Sequence, residues 1–246
     1  MSLKLIQLAH SPWTQKARCA LAHHGLPFET VEYRPFLDEP GLRLSLARRG
    51  QLWPRRVSVP VLLTPDAAVT DSWEIARYAD RVGTNTSLIP RANDVAIADW
   101  NARSDRLLAS GRARFMVRVL GAESAMRELV PGVVSGAPPF VLRSSMQLFN
   151  AKYGIRVSDF ADHGAHVRAE LEALRAALSD GRRYLTGSLS YADFAMGLGL
   201  QVIAPLPNSS FGPHSATLAS EPELVEEYAE LVRWRDALHA EHGLLH

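Results

Sequence analysis

The sequence predicts a fold of class α/β plus all-α: a small mixed domain followed by a larger helical one. Within the first third of the chain the apolar pattern runs strand, helix, strand, irregular link, strand, strand, helix. After Gly83 that pattern stops. From Ala92 onward almost every apolar stretch has helical period and is interrupted by Gly and Pro. Two domains follow, residues 1–83 and residues 91–246, which suits a length of 246 residues.

Residues 3–9 read as a short buried strand. Ser11-Pro12 then has the look of a helix start, with Ser at the cap and Pro in the first turn. Ala17, Ala20 and Leu21 fall on one face of the helix that follows, His23 and His24 occupy its last turn, and Gly25 is a natural left-handed stop. Residues 28–33 alternate as a second strand. The stretch 34–56 is irregular, with a helical piece near 42–48. Residues 57–63 form a third strand interrupted by Pro60, and 67–70 a fourth, separated by the turn Thr64-Pro65-Asp66. Asp71 caps a helix running to about Val82, with Glu74 placed to complete a capping box. Beyond a polar, Pro-ended linker at 84–90, helices are expected near 92–120, 139–152, 158–180, 190–204 and 222–241. The Gly- and Pro-rich stretch 121–140 is expected to be a loop.

Bulk properties exclude several function classes. A formal net charge of +1 leaves no electrostatic footprint for nucleic acid or an anionic membrane. Of 27 basic residues only Lys4, Lys16 and Lys152 are lysines, and the arginines are scattered rather than gathered in a stripe. The single cysteine, Cys19, leaves no internal disulfide, no Cys-x-x-Cys pair and no thiolate-rich metal site; a buried apolar role suits it. The N-terminus is not a secretory signal and no run of about 18 apolar residues is present, so a cytoplasmic protein is expected. His163/His166 and His239/His242 have helical i,i+3 spacing but no third ligand, and read as surface histidines. His10 beside Ser11 suggests a Ser/His pair, but neighbours on a strand point opposite ways and no orienting acid is evident.

Three separated segments carry a resemblance. SPWTQKARCALAHHGLPFE (11–29), VPVLL…AVTDSWEIARYAD (59–80) and YLTGSLSYADFAM (184–196), in this order and spacing, resemble the cytosolic glutathione transferase family, serine type and bacterial-like. The resemblance covers essentially the whole chain. It implies a thioredoxin-like glutathione-binding domain, an all-helical C-terminal domain of the glutathione transferase kind, a homodimer and a role in detoxification. Glutathione would be a substrate, with a hydrophobic small-molecule electrophile as its partner and no metal.

Each motif then acquires an expected role. A thiol like that of glutathione has a pKa near about 8.5 and is mostly protonated at neutral pH. Lowering it by about two units, roughly 2.7 kcal/mol, makes the thiolate the majority species. A helix N-terminus with a hydroxyl beside it does that, so Ser11 is the expected catalytic residue, a thiolate stabiliser rather than a nucleophile. The resemblance implies a cis Val59-Pro60 bond that turns the Val59 backbone toward the cysteinyl unit of glutathione like an added strand. Ser72 and the free N–H groups of its helix suit the γ-glutamyl carboxylate, and Asp71 its ammonium. The family more often has Glu-Ser there, one methylene longer. The residue before Val-Pro is often Lys or Gln in the family; here it is Ser58, with Arg55 or Arg56 as substitutes for the missing charge.

Trp13, at the mouth of the site, faces either glutathione or the second substrate, or packs in the core. Phe115 and Met116 are the expected electrophile pocket, and the loop 121–140 shapes or covers the cleft. Ser190 and Asp193 form a structural capping box, with Asp193→Ala expected to cost about 1–2 kcal/mol. Two alternatives share the same site: a non-catalytic binding or regulatory protein of this fold, and a glutathione-dependent isomerase or dehalogenase.

Overall fold

A computed structural model of the chain describes residues 3–35, 37–50, 57–207 and 211–244. Strand β1 (Leu3–Gln7) leads into helix α1 (Pro12–His23), β2 (Phe28–Glu32), α2 (Glu39–Ala47), β3 (Val61–Leu63), β4 (Ala68–Thr70) and α3 (Ser72–Val82). The strands form one sheet in the order β2-β1-β3-β4. β1 runs parallel to β2 and antiparallel to β3, which is antiparallel to β4. Alternation along β1 divides the core between the two faces of the sheet. Leu5 joins Ala20 of α1 and Ile75 of α3 on one face, while Ile6 packs with Leu42 and Leu46 of α2 on the other.

The remainder is helical: α4 (Asp94–Val119), α5 (Glu123–Leu129), α6 (Gly132–Ser135), α7 (Pro139–Tyr153), α8 (Phe160–Leu178), α9 (Tyr191–Gly199), α10 (Pro213–Ala219), α11 (Pro222–Glu227) and α12 (Ala229–His242). Every residue of α9 is buried, and the helix packs against α1, α4 and α12. A helix buried on every side belongs at the centre of a domain. Among the described residues no helix is long and apolar enough to cross a membrane. The fold class is that expected: a mixed four-stranded, thioredoxin-like domain followed by a helical one.

Several local expectations change. The third strand is only Val61–Leu63, its ladder to β1 beginning at Val61, and the Val59-Pro60 bond before it is cis. No capping box forms at α3: the Asp71 carboxylate accepts from the N–H of Trp73, at 2.8 Å, rather than from Glu74. The stretch 121–140 holds α5 and α6 rather than a plain loop, and α10 was not expected. Helices of four to seven residues give too little periodicity to be seen. The expected helix at 222–241 is broken at Tyr228, whose ring is buried and whose hydroxyl donates to Glu172 of α8 at 2.8 Å.

The join between the two parts is tightly held. Asp80, near the end of α3, accepts hydrogen bonds from the backbone N–H groups of Leu88 and Ile89 at 2.8 Å each and pairs with His24 at 2.7 Å. Leu88 in turn accepts from the Tyr191 N–H at 2.8 Å, tying this segment to the start of α9. In α4, Gly111 allows the close approach of Val202: an added Cβ would stand 2.3 Å from the Val202 Cβ.

The Ser190/Asp193 capping box is present. Asp193, 0% exposed, accepts from the Ser190 N–H at 2.8 Å, the Ser190 hydroxyl at 2.9 Å and the Leu185 N–H at 2.8 Å. The bond to Leu185 is beyond what a helix cap supplies. Asp193→Ala leaves two buried N–H groups unpaired, and its expected cost rises to about 2–4 kcal/mol. Urea unfolding reads this directly, and a loss under about 1 kcal/mol would show that water replaces the carboxylate.

Candidate active site

Ser11 is held in place from several directions. Its N–H donates to the Leu8 carbonyl at 2.9 Å, and its own carbonyl accepts from Gln15 at 3.0 Å. The turn before it is pinned by side chains of α1: Thr14 Oγ1 accepts from the Leu8 N–H at 3.3 Å, and Gln15 Nε2 donates to the Ala9 carbonyl at 3.2 Å. Glu32 accepts from the Ala9 N–H at 2.9 Å. Ser11 is the N-cap of α1 by backbone position, yet its hydroxyl makes no capping hydrogen bond. That hydroxyl and the first-turn N–H groups of α1 are therefore left for a ligand.

Asp71 and Ser72 form a second corner. Asp71 has φ +79°, the one positive φ outside glycine among the described residues, a sparsely populated conformation that costs about 1–3 kcal/mol. Burial pushes its carboxyl above the ordinary aspartate range, opposed by the Trp73 N–H and by Lys16. Ser72 is 1% exposed, and its hydroxyl has no hydrogen-bond partner at normal distance among the described residues. The buried hydroxyl of Tyr191 adjoins it. A third corner is Val59, before cis Pro60, whose backbone N–H and C=O bond to no other described residue.

These corners open onto one cavity of about 600 Å³. Ser11, Trp13, Val59, Pro60, Asp71 and Ser72 line its polar end. The larger part is apolar and is walled by the helical domain, with Phe115 and Met116 of α4 and Phe149 and Tyr153 of α7. Val130 and Val134, from α6 and the residues just before it, also reach it, so 121–140 shapes the cleft as short helices. Arg56, expected to serve the far end of glutathione, lies outside the described residues, as does Arg55.

Trp13 lines the cavity while its indole N–H donates to Asp105 of α4 at 2.9 Å, so only its ring surface is offered to a ligand. The same carboxylate oxygen accepts from Lys16 at 2.8 Å. Lys16 is fully buried and also donates to Asn101 at 2.7 Å. Burial lowers the Lys16 pKa, against the pull of Asp105.

His10 also lines the cavity, so its exclusion on strand geometry does not hold: β1 ends at Gln7, and residues 9–10 form a turn. Its ring packs on Phe211 at 5.3 Å, burial lowers its pKa, and no hydrogen bond joins it to Ser11. Cys19 is sealed in the core with its thiol pushed up to about 12 by burial. His242 bonds Tyr184 at 3.0 Å and His239 accepts from the Leu244 N–H at 2.9 Å. No group of three or more metal-ligating side chains is found among the described residues.

Residues 10–82 match the family model of the glutathione S-transferase N-terminal domain. The chain carries a glutathione S-transferase N-terminal domain. Solved structures share the glutathione S-transferase fold over nearly the whole length. A glutathione S-transferase from Methylobacterium radiotolerans, in complex with glutathione sulfonate, is 20% identical with a TM-score of 0.63, covering 99% of this chain and 93% of that one. A glutathione S-transferase from Ceriporiopsis subvermispora, in complex with glutathione, is 19% identical with a TM-score of 0.60, covering 98% of each. The β-etherase LigF from a Sphingobium species is 21% identical with a TM-score of 0.66, covering 99% and 97%. No curated protein matches the sequence significantly.

The fold thus brings the expected Ser11, Trp13, Val59, Pro60, Asp71, Ser72, Phe115 and Met116 to one cavity. Lys16, Asp105 and Arg112 were missed. For Arg112 a signal existed: Leu108, Arg112, Phe115 and Met116 share one face of α4, so an arginine interrupts the apolar stripe.

Proposed function

We propose that this glutathione S-transferase-fold protein activates the thiol of glutathione at Ser11 for attack on a hydrophobic electrophile. The single observation that carries the proposal is the continuity of the cavity, which joins the Ser11, Val59 and Asp71-Ser72 corners to the apolar wall of the helical domain. The γ-glutamyl carboxylate would take the Ser72 hydroxyl and the α3 N-terminus, its ammonium Asp71, and the cysteinyl backbone Val59. The sulfur then sits by the Ser11 hydroxyl and the α1 N-terminus, with Phe115 and Met116 holding the second substrate and Trp13 between the two. The proposal includes a cytoplasmic homodimer; light scattering at micromolar concentration reads the oligomeric part.

The test is a glutathione titration followed by the ultraviolet absorbance of the bound thiolate. Saturable binding with a thiol pKa below that of free glutathione is expected. Absence of binding at millimolar glutathione would sink the proposal.

Asp71 makes a further prediction. Its carboxylate must be ionised to hold an ammonium, and burial has raised its pKa. Protonation removes the partner, so affinity is lost as pH falls through that raised value, earlier than the ordinary aspartate value of about 3.9 would allow. S-methylglutathione, which has no thiol, isolates the effect in calorimetry. Affinity should fall on acidification in the wild type and show little pH dependence in Asp71→Asn. An equal slope in both would remove Asp71 from the site.

A further inference from the structure

We propose that the apolar end of the cavity recognises an anionic group on an otherwise apolar, aromatic molecule, and that Arg112 is the residue that binds the anion. As an assignment of the second-substrate class this rests on the function proposed above; as a binding site it does not.

Arg112 lies on the cavity wall between Leu108 and Met116, one helical turn from each. Its guanidinium stands over the Tyr153 ring at 4.0 Å and the Trp13 ring at 4.9 Å. No hydrogen bond or ion pair to any described residue is formed, and its Nε is sealed from solvent without a partner. Other arginines of α4 behave differently. Arg103 and Arg106 reach Glu170, and Arg114 and Arg118 share Glu221. The rings offset part of the buried charge, but aromatic faces accept no conventional hydrogen bonds, and the planar fork of N–H donors stays unused.

Charge around the cavity gives the occupant its sign. Among its charged lining residues, Asp71 is engaged by the Trp73 N–H at the opposite, polar end, and Lys152 donates to Glu39 at 2.8 Å. Among the described lining residues no acid faces Arg112 across the apolar end. A guanidinium kept there uncompensated matches a carboxylate or sulfonate, which it can hold in two parallel bonds.

The surroundings set the rest of the molecule. Trp13 is anchored by Asp105, Phe115 packs with Phe211 at 5.4 Å, and Phe149 with Tyr153 at 4.7 Å. Flat aromatic walls beside a guanidinium that no described acid pairs with select a planar apolar acid.

The experiment compares 2-naphthoate with 2-naphthamide, a neutral analogue of similar shape, by calorimetry on the wild-type protein, Arg112→Met and Arg112→Lys. Wild type is expected to bind the acid at least about tenfold tighter than the amide, about 1.4 kcal/mol. Arg112→Met should bind both at the amide's level, and Arg112→Lys should keep part of the preference. Equal binding of acid and amide by the wild type overturns the proposal, and that comparison depends on no variant folding. So does a preference that survives in Arg112→Met. Glutathione affinity is read in the same preparations: a tenfold loss in Arg112→Met would show that Arg112 serves glutathione instead, which also overturns it. If wild type binds no glutathione but still prefers the acid, the proposed transferase function fails and the anion site stands.

Discussion

Ser11→Ala is expected to raise the pKa of the bound glutathione thiol by about one to two units. A hydrogen bond to a charged acceptor is worth roughly 1.5–3 kcal/mol, and each pKa unit corresponds to about 1.4 kcal/mol. The α1 N-terminus survives the substitution and keeps its smaller contribution of about 0.3–1 kcal/mol. From a bound pKa near about 6.5, the thiolate at pH 7 falls from roughly three-quarters of the bound thiol to between about a quarter and three per cent. A more basic thiolate is also a better nucleophile, which returns about three- to eightfold. Ionisation alone therefore lowers the rate at pH 7 by a few-fold at most, and the deficit should close as pH rises past the new pKa. Thiolate absorbance against pH separates the two effects. An unchanged thiol pKa in Ser11→Ala would remove Ser11 from its proposed role even if activity fell. Because the Ser11 hydroxyl caps nothing, the variant should lose little stability, and urea unfolding checks that the comparison is between folded proteins.

Asp105→Ala, just behind the cavity wall, is expected to be more destabilising than the changes to the lining residues themselves. It takes the counter-charge from a lysine with a 0% exposed side chain and the acceptor from the Trp13 indole in one step. Removing one partner of a buried ion pair costs about 3–5 kcal/mol. Asp105 itself is 37% exposed and Asn101 still holds Lys16, so the low end, about 3 kcal/mol, is expected. The pH dependence has a definite sign. Burial lowers the folded pKa of Lys16, so between that value and the unfolded value of about 10.4 the unfolded chain binds more protons and stability rises with pH. Without Asp105 the folded pKa drops further, and the window in which stability climbs widens. The deficit of Asp105→Ala should therefore shrink as pH is raised from 7 toward 10, as measured by urea unfolding. A deficit independent of pH would mean that Lys16 is not the group left stranded. Asp105→Asn, which keeps an acceptor for Trp13 but not the charge, should fall between the two.

Much of this protein was legible because its signals are local. Ser11-Pro12 before an amphipathic run, Asp71-Ser72 before another and the Ser190/Asp193 box each mark a helix start through the hydrogen-bonding needs of a few consecutive residues. The change of period after Gly83 separates a sheet from helices for the same reason. Short elements such as α5, α6 and α10 escaped, since they are too brief to show a period. Arg112 was visible as a charge in an apolar stripe, but its meaning depends on Tyr153, 41 residues away, failing to supply an acceptor. Likewise, nothing near Lys16 in sequence announces Asp105, 89 positions on. The sequence by itself marked the helix starts at Ser11, Asp71 and Ser190 and the change of period after Gly83, because capping, turn chemistry and periodicity act between near neighbours, while the family resemblance suggested which of these starts would meet glutathione. Tertiary structure alone decided which charges are paired and which are left facing the cavity. Burial raises the energy of an ion, and only the packing of distant helices determines where a counter-charge is supplied and where it is withheld.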